Sequence, residues 1–150
     1  MRVIRWSSFS VLVAFAMACS DGTGPPFAFA HAAATFACGP ADGPAVAIYL
    51  SPNPVTSLEP SGPYVRVYID AAVEQVGGKA WPISDSSPIA AWFQTSANNS
   101  EIATSGYVIT SSVSADKTVE GTVDLTFPNA GHVHGNFSAP WLSQTGIVCI

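Results

Sequence analysis

From Tyr64 to Asp70 the chain reads Y-V-R-V-Y-I-D, with Val65, Val67 and Ile69 on one parity and Tyr64, Arg66, Tyr68 and Asp70 on the other. Residues two apart in a strand share a face, so this stretch predicts a strand with one apolar and one mixed surface. The period recurs along the chain. Val46, Ile48 and Leu50 share a parity within Ala45 to Leu50, and a first run lies near Ala34 to Cys38. Lys79 to Ile83 and Ile89 to Gln94 are further strands, with Trp92 and Phe93 facing opposite ways. Gly77-Gly78 reads as a hairpin turn ahead of Lys79. The apolar residues, 48% of the chain, are broken up by Gly, Pro, Ser and Thr, which excludes a continuous membrane span and favours short strands joined by turns.

The last third predicts a three-stranded meander over Gly106 to Val113, Val119 to Phe127 and Val133 to Ala139. Pairing Phe127 with Val133 sets Leu125 against Gly135 and Val123 against Phe137, with Thr126–His134 and Asp124–Asn136 on the reverse, polar face. Pairing Val113 with Val119 likewise aligns Ile109 with Val123 and Tyr107 with Leu125 on the apolar side. The fold class expected is all-β, an antiparallel β-sandwich, immunoglobulin-like or similar. A small closed β-barrel is the alternative.

At the N-terminus Arg2 and Arg5 precede an apolar run from Phe9 to Met17, closed by the small residues Ala16 and Ala18. This is the arrangement of a secretory signal peptide, and the run is far shorter than the ~20 residues of a membrane-spanning helix. The stretch Ala16-Met17-Ala18-Cys19 resembles the lipobox of bacterial lipoproteins, with Ala16 where that family prefers leucine. The resemblance implies a diacylglyceryl group on the Cys19 thiol, cleavage just before it, and acylation of the new amino group. Ordinary secretion to the periplasm, with Cys19 merely near the cut, is the alternative. Two or more acyl chains anchor stably where one is marginal, at about 0.8 kcal/mol per buried methylene. Ser20, in place of the aspartate that in this family often retains the protein at the inner membrane, leans to the outer membrane. The expected organisation is a signal peptide over 1–18, a lipidated cysteine and flexible tether over 19–30, and a β-sandwich domain over 31–150, similar in general character to small β-rich envelope lipoproteins.

Removing Arg2 and Arg5 leaves three basic residues (Arg66, Lys79 and Lys117) against ten acidic ones, so the formal charge goes from −5 to −7. So acidic a surface repels nucleic acid and anionic headgroups, leaving the lipid as the expected link to the membrane. With Cys19 assigned to lipid, Cys38 and Cys149 remain, in an oxidising compartment and without C-x-x-C spacing, and predict a structural disulfide.

Gly131-His132-Val133-His134-Gly135 is the one stretch with metal-ligating character, because His132 and His134 project from one face of a strand as two ligands of copper or zinc would. Over four or five residues it is similar to the H-V-H of copper-zinc superoxide dismutases, which need further histidines and an aspartate downstream. The sixteen residues after His134 contain no histidine or acid, and Asp124 on the paired strand is the third candidate ligand. No P-loop, G-x-S-x-G, H-E-x-x-H or dinucleotide fingerprint occurs, so no catalytic residue is assigned. Tyr64, Arg66 and Tyr68 form a candidate binding surface, since exposed aromatics with arginine favour interfaces. The function expected is a lipid-anchored structural, adhesive or binding module of the cell envelope, without a cofactor and with an envelope protein or a glycan as partner. A metal-binding protein or metal-dependent enzyme is the alternative.

Cys19→Ser tests the anchor. Expressed in a Gram-negative host, the wild type is expected in the detergent phase, and the variant as soluble protein or unprocessed precursor. Identical partitioning and an unmodified N-terminal mass in both would refute lipidation.

Overall fold

The computed structural model describes residues 27–39, 42–58, 60–96, 98–143 and 149. The expected signal peptide, Cys19 and the expected tether as far as residue 26 lie outside them. Nine strands and one helical turn are described: β1 His31–Cys38, β2 Pro44–Ser51, β3 Tyr64–Ile69, α1 Val73–Val76, β4 Lys79–Pro82, β5 Ile89–Ser96, β6 Asn99–Ile102, β7 Ser105–Val113, β8 Val119–Phe127 and β9 Gly131–Ala139. They form a five-stranded sheet, β1-β2-β3-β5-β6, and a four-stranded sheet, β4-β7-β8-β9, antiparallel throughout. The sheets pack together and remain unclosed, which makes the fold a sandwich and not a barrel.

The expected parities set the core. Val46, Ile48, Leu50, Val65, Val67 and Ile69 line the inner face of the first sheet and are fully buried. Val108, Val123, Leu125, Phe127 and Val133 meet them from the second. Burying each such side chain contributes about 1.5–3 kcal/mol relative to leaving it exposed. Phe27 and Phe29 pack against the same core ahead of β1, and the Phe27 ring meets Phe93 edge-on at 5.0 Å.

Both expected registers of the meander change. Phe127 pairs with Gly131 instead of Val133, which brings Leu125 to Val133, Val123 to Gly135 and Asp124 to His134. The connection is Pro128 to Ala130 followed by Gly131 at φ +75°, the three-residue hairpin whose closing residue is left-handed and favours glycine. In the other hairpin Val113 does pair with Val119, but a bulge between Thr110 and Ser112 inserts one residue. Every side chain beyond it turns over. Val108, not Ile109, faces Val123 in the core, and Tyr107 and Ile109 stand outside at 40% and 41% exposure.

Gly77-Gly78 is not a hairpin turn. It follows α1 and delivers the chain from β3 in one sheet to β4 in the other, where Lys79–Pro82 pairs with β7. Trp81 anchors this crossing: it is buried, and its indole Nε1 donates to Thr110 Oγ1 at 3.0 Å. The Thr110 hydroxyl in turn donates to the Val76 carbonyl.

Beyond β9 the chain runs beside the free edge of β1. The Ala34 N–H donates to the Pro140 carbonyl (2.9 Å), and the Leu142 N–H donates to the Ala34 carbonyl (2.7 Å). The expected disulfide, Cys38–Cys149, closes this edge across 111 positions. Loop-closure entropy for a loop near that length is about 4.7 kcal/mol, of which real bridges deliver about 2–4. Reduction, or the Cys38→Ala/Cys149→Ala pair, is expected to lower the melting temperature by at least about 5 °C. Two freely alkylated thiols in the native oxidised protein, or an unchanged melting temperature, contradicts that role.

Candidate functional site

The outer face of the five-stranded sheet carries the side chains of the opposite parity: Tyr49 on β2, Tyr64, Arg66 and Tyr68 on β3, and Trp92 and Gln94 on β5. Cross-strand register brings them into rows, with Tyr49 beside Arg66, Arg66 beside Trp92, and Tyr64 beside Gln94. Residues 52–58 and 60–63, between β2 and β3, fold along this face. Val55 packs on the small apolar cluster of Ala47, Tyr49 and Tyr64. Gly62 at φ +80° turns the chain back toward β3, and the Asn53 amide reaches the Ser61 carbonyl across the loop at 3.5 Å.

Between that loop and the β5–β6 hairpin lies a cleft of about 680 Å³. Tyr49, Tyr64 and Trp92 supply ring walls, Arg66 lies between them, and Gln94 and Ser100 form the polar side. Among the described residues that line it, Arg66 is the one charged group. Its guanidinium carbon sits 5.0 Å from the centre of the Trp92 ring. Such a cation–π contact is worth about 0.5–2 kcal/mol, rising with desolvation, and it fixes the guanidinium plane. The Arg66 Nε is shut off from solvent and has no hydrogen-bond partner among the described residues.

Tyr64, Arg66 and Tyr68 do share the outer face, as their spacing predicts, but they have different surroundings. Tyr64 is buried, its ring 5.9 Å from Tyr49, and only part of it borders the cleft. Tyr68 lies outside the cleft lining. Its hydroxyl donates to the Cys38 carbonyl and its ring meets Trp92 edge-on at 6.4 Å, so it ties β3 to the disulfide-bearing end of β1. Tyr49, Trp92, Gln94 and Ser100 escaped the sequence reading as a set, because only the β2-β3-β5-β6 order makes them neighbours.

The histidine pair lies on the outer face of the other sheet. His132 Nε2 is 2.9 Å from Asp124 Oδ1, and the His132 and His134 rings stack 4.9 Å apart at an interplanar angle of 21°. An exposed pair of this kind contributes about 0–1 kcal/mol. No group of three or more His, Cys, Asp or Glu side chains placed to hold a metal ion occurs among the described residues.

No family model, no curated protein and no solved structure matches the chain.

Burial, with the nearby Asp70 carboxylate second, raises the Tyr68 phenol above its ordinary value. The neutral phenol is therefore the form that the fold favours. Its contribution is complete below the free phenol's pKa near ~10 and is lost as pH rises through the higher folded value. Tyr68→Phe is expected to cost about 0.5–1.5 kcal/mol at neutral pH through the lost hydrogen bond. Denaturant titration should show the gap to wild type narrowing above about pH 10. Equal stability at pH 7, or a gap that widens in alkali, contradicts the assignment.

Proposed function

We propose that the chain is a lipid-anchored β-sandwich of the bacterial cell envelope, held at the outer membrane through Cys19, that works as a non-catalytic binding module. The observation that carries the binding role is the cleft on the outer face of the five-stranded sheet. It falls in the range of about 300–1,000 Å³ that holds small ligands, and it combines ring walls with a few convergent polar groups. Its floor is built on strands whose alternate residues are fully buried, so the side chains that a ligand meets are already in place. The lipobox resemblance supports the anchor, and the acidic balance of the mature chain supports a partner other than nucleic acid. A glycan or an envelope protein fits both. The copper or zinc reading has one paired histidine and one stacked on it in its favour, against a built cleft on the opposite sheet.

A thermal-shift survey of the mature chain carrying Cys19→Ser, against oligosaccharides, peptides and small metabolites, tests the binding role. At least one ligand is expected to raise the melting temperature, as mass action requires of anything that binds the folded state alone. Ser100→Trp, which obstructs the cleft from the exposed edge strand, should abolish the rise. A rise that persists in Ser100→Trp, or that follows His132→Ala instead, moves the function off this face.

A further inference from the structure

We infer that the cleft on the outer face of the five-stranded sheet takes a carboxylate-bearing saccharide, with Arg66 as the carboxylate receptor; the inference rests on the proposed binding role of that cleft.

The charge argument comes first. The chain is acidic overall, with a formal charge of −5, yet the one charged side chain among the described residues lining the cleft is a cation. No carboxylate among the described residues forms an ion pair with it. A guanidinium offers five donors in a flat fork that matches a carboxylate's two oxygens, which an ammonium does not. Here the fork is held against the Trp92 ring, and its Nε has no partner among the described residues. Buried donors are nearly always satisfied, so an unfilled one beside an open cleft is a place for an incoming acceptor. A carboxylate approaching side-on, to Nε and one terminal nitrogen, satisfies it with a small shift of the head group.

The rest of the lining selects the body of the ligand. A sugar ring has apolar C–H faces and a rim of hydroxyls that both donate and accept. Tyr49, Tyr64 and Trp92 offer apolar walls for the former. The Ser100 hydroxyl offers either role to the latter, and the Gln94 side-chain carbonyl oxygen accepts, its amide nitrogen already donating to the Ser96 carbonyl at 3.2 Å. An inorganic anion leaves the ring walls unused, and an apolar acid leaves the hydroxyl and amide unpaired.

Isothermal titration of the mature Cys19→Ser chain with trigalacturonate, its methyl ester and inorganic phosphate tests this. Trigalacturonate is expected to bind at least tenfold tighter than the ester, with the preference shrinking as salt rises. Arg66→Gln should remove the preference and Arg66→Lys restore only part of it, because the charge returns without the fork. Ser100→Ala and Gln94→Ala, which leave Arg66 and the core untouched, should weaken acid and ester alike and keep the preference. Their melting temperatures, with that of Arg66→Gln, separate lost binding from lost folding. Equal binding of acid and ester overturns the carboxylate assignment and leaves the cleft a saccharide site. Phosphate competing as well as trigalacturonate overturns the saccharide assignment. Binding of neither sugar overturns the inference alone if the thermal-shift survey finds a cleft ligand of another class, and the binding role with it if the survey finds none.

Discussion

Burial of a valine- and isoleucine-rich face of one sheet against a valine-, leucine- and phenylalanine-lined face of the other is the interaction on which everything else in this molecule depends. It fixes Val65 and Val67 in the interior, and the chain between them has no choice but to send Arg66 outward. Arg66 is thereby placed with the rigidity of a core strand, although it belongs to the surface. The same holds for Trp92, between buried Ala91 and Phe93. A surface side chain flanked by interior ones cannot drift far. This is why an outer-face cleft can be rigid with only a small apolar cluster of its own.

A single carboxylate reinforces the packing at one end. Glu101, on β6 of the first sheet, accepts the N–H groups of Asn129 (2.8 Å) and Ala130 (2.6 Å) in the β8–β9 turn of the second. The Asn129 side-chain amide adds a third donor at 3.0 Å. Charge-assisted bonds to turn amides are stronger than neutral ones, and these three link the two sheets beside Ala130, which packs on the core.

The alternating strands and the disulfide were legible because each rests on a local signal: parity in one case, elimination among three cysteines in the other. The registers were not, for two different physical reasons. Sliding β9 by two residues keeps every side chain on its own face, so hydrophobic matching cannot distinguish Phe127–Val133 from Phe127–Gly131. The turn decides, through Gly131. On β7 the bulge next to Ser111 inverts the parity of Tyr107 and Ile109, and nothing apolar in the run G-Y-V-I-T-S-S-V marks the extra residue. One sign was available in Gly121, where an added Cβ would collide with the Ile109 carbonyl and the Phe137 ring. The cleft was legible only in part. Tyr64 and Arg66 lie in one run, whereas Tyr49, Trp92 and Ser100 join them through a strand order that omits β4, and such non-local adjacency leaves no mark in a short window.

The geometry of entry gives the cleft an orientation. The start of β1 pairs with the end of β2 through His31 and Ser51, and Phe27 packs on Phe93 near the end of β5. Residues 52–58 and 60–63, Tyr64 and Gln94 are at this same end of the sandwich, whereas Cys38 lies at the other end of β1. From the proposed anchor at Cys19 to Phe27 there are eight peptide links, which reach at most about 28 Å when fully extended. With the proposed lipid on Cys19, that leash would hold the cleft end of the sandwich nearer the bilayer than the disulfide end. A module so tethered would sample molecules lying along the membrane surface before those farther out, and lengthening the leash would change what it meets without altering a single contact within the fold.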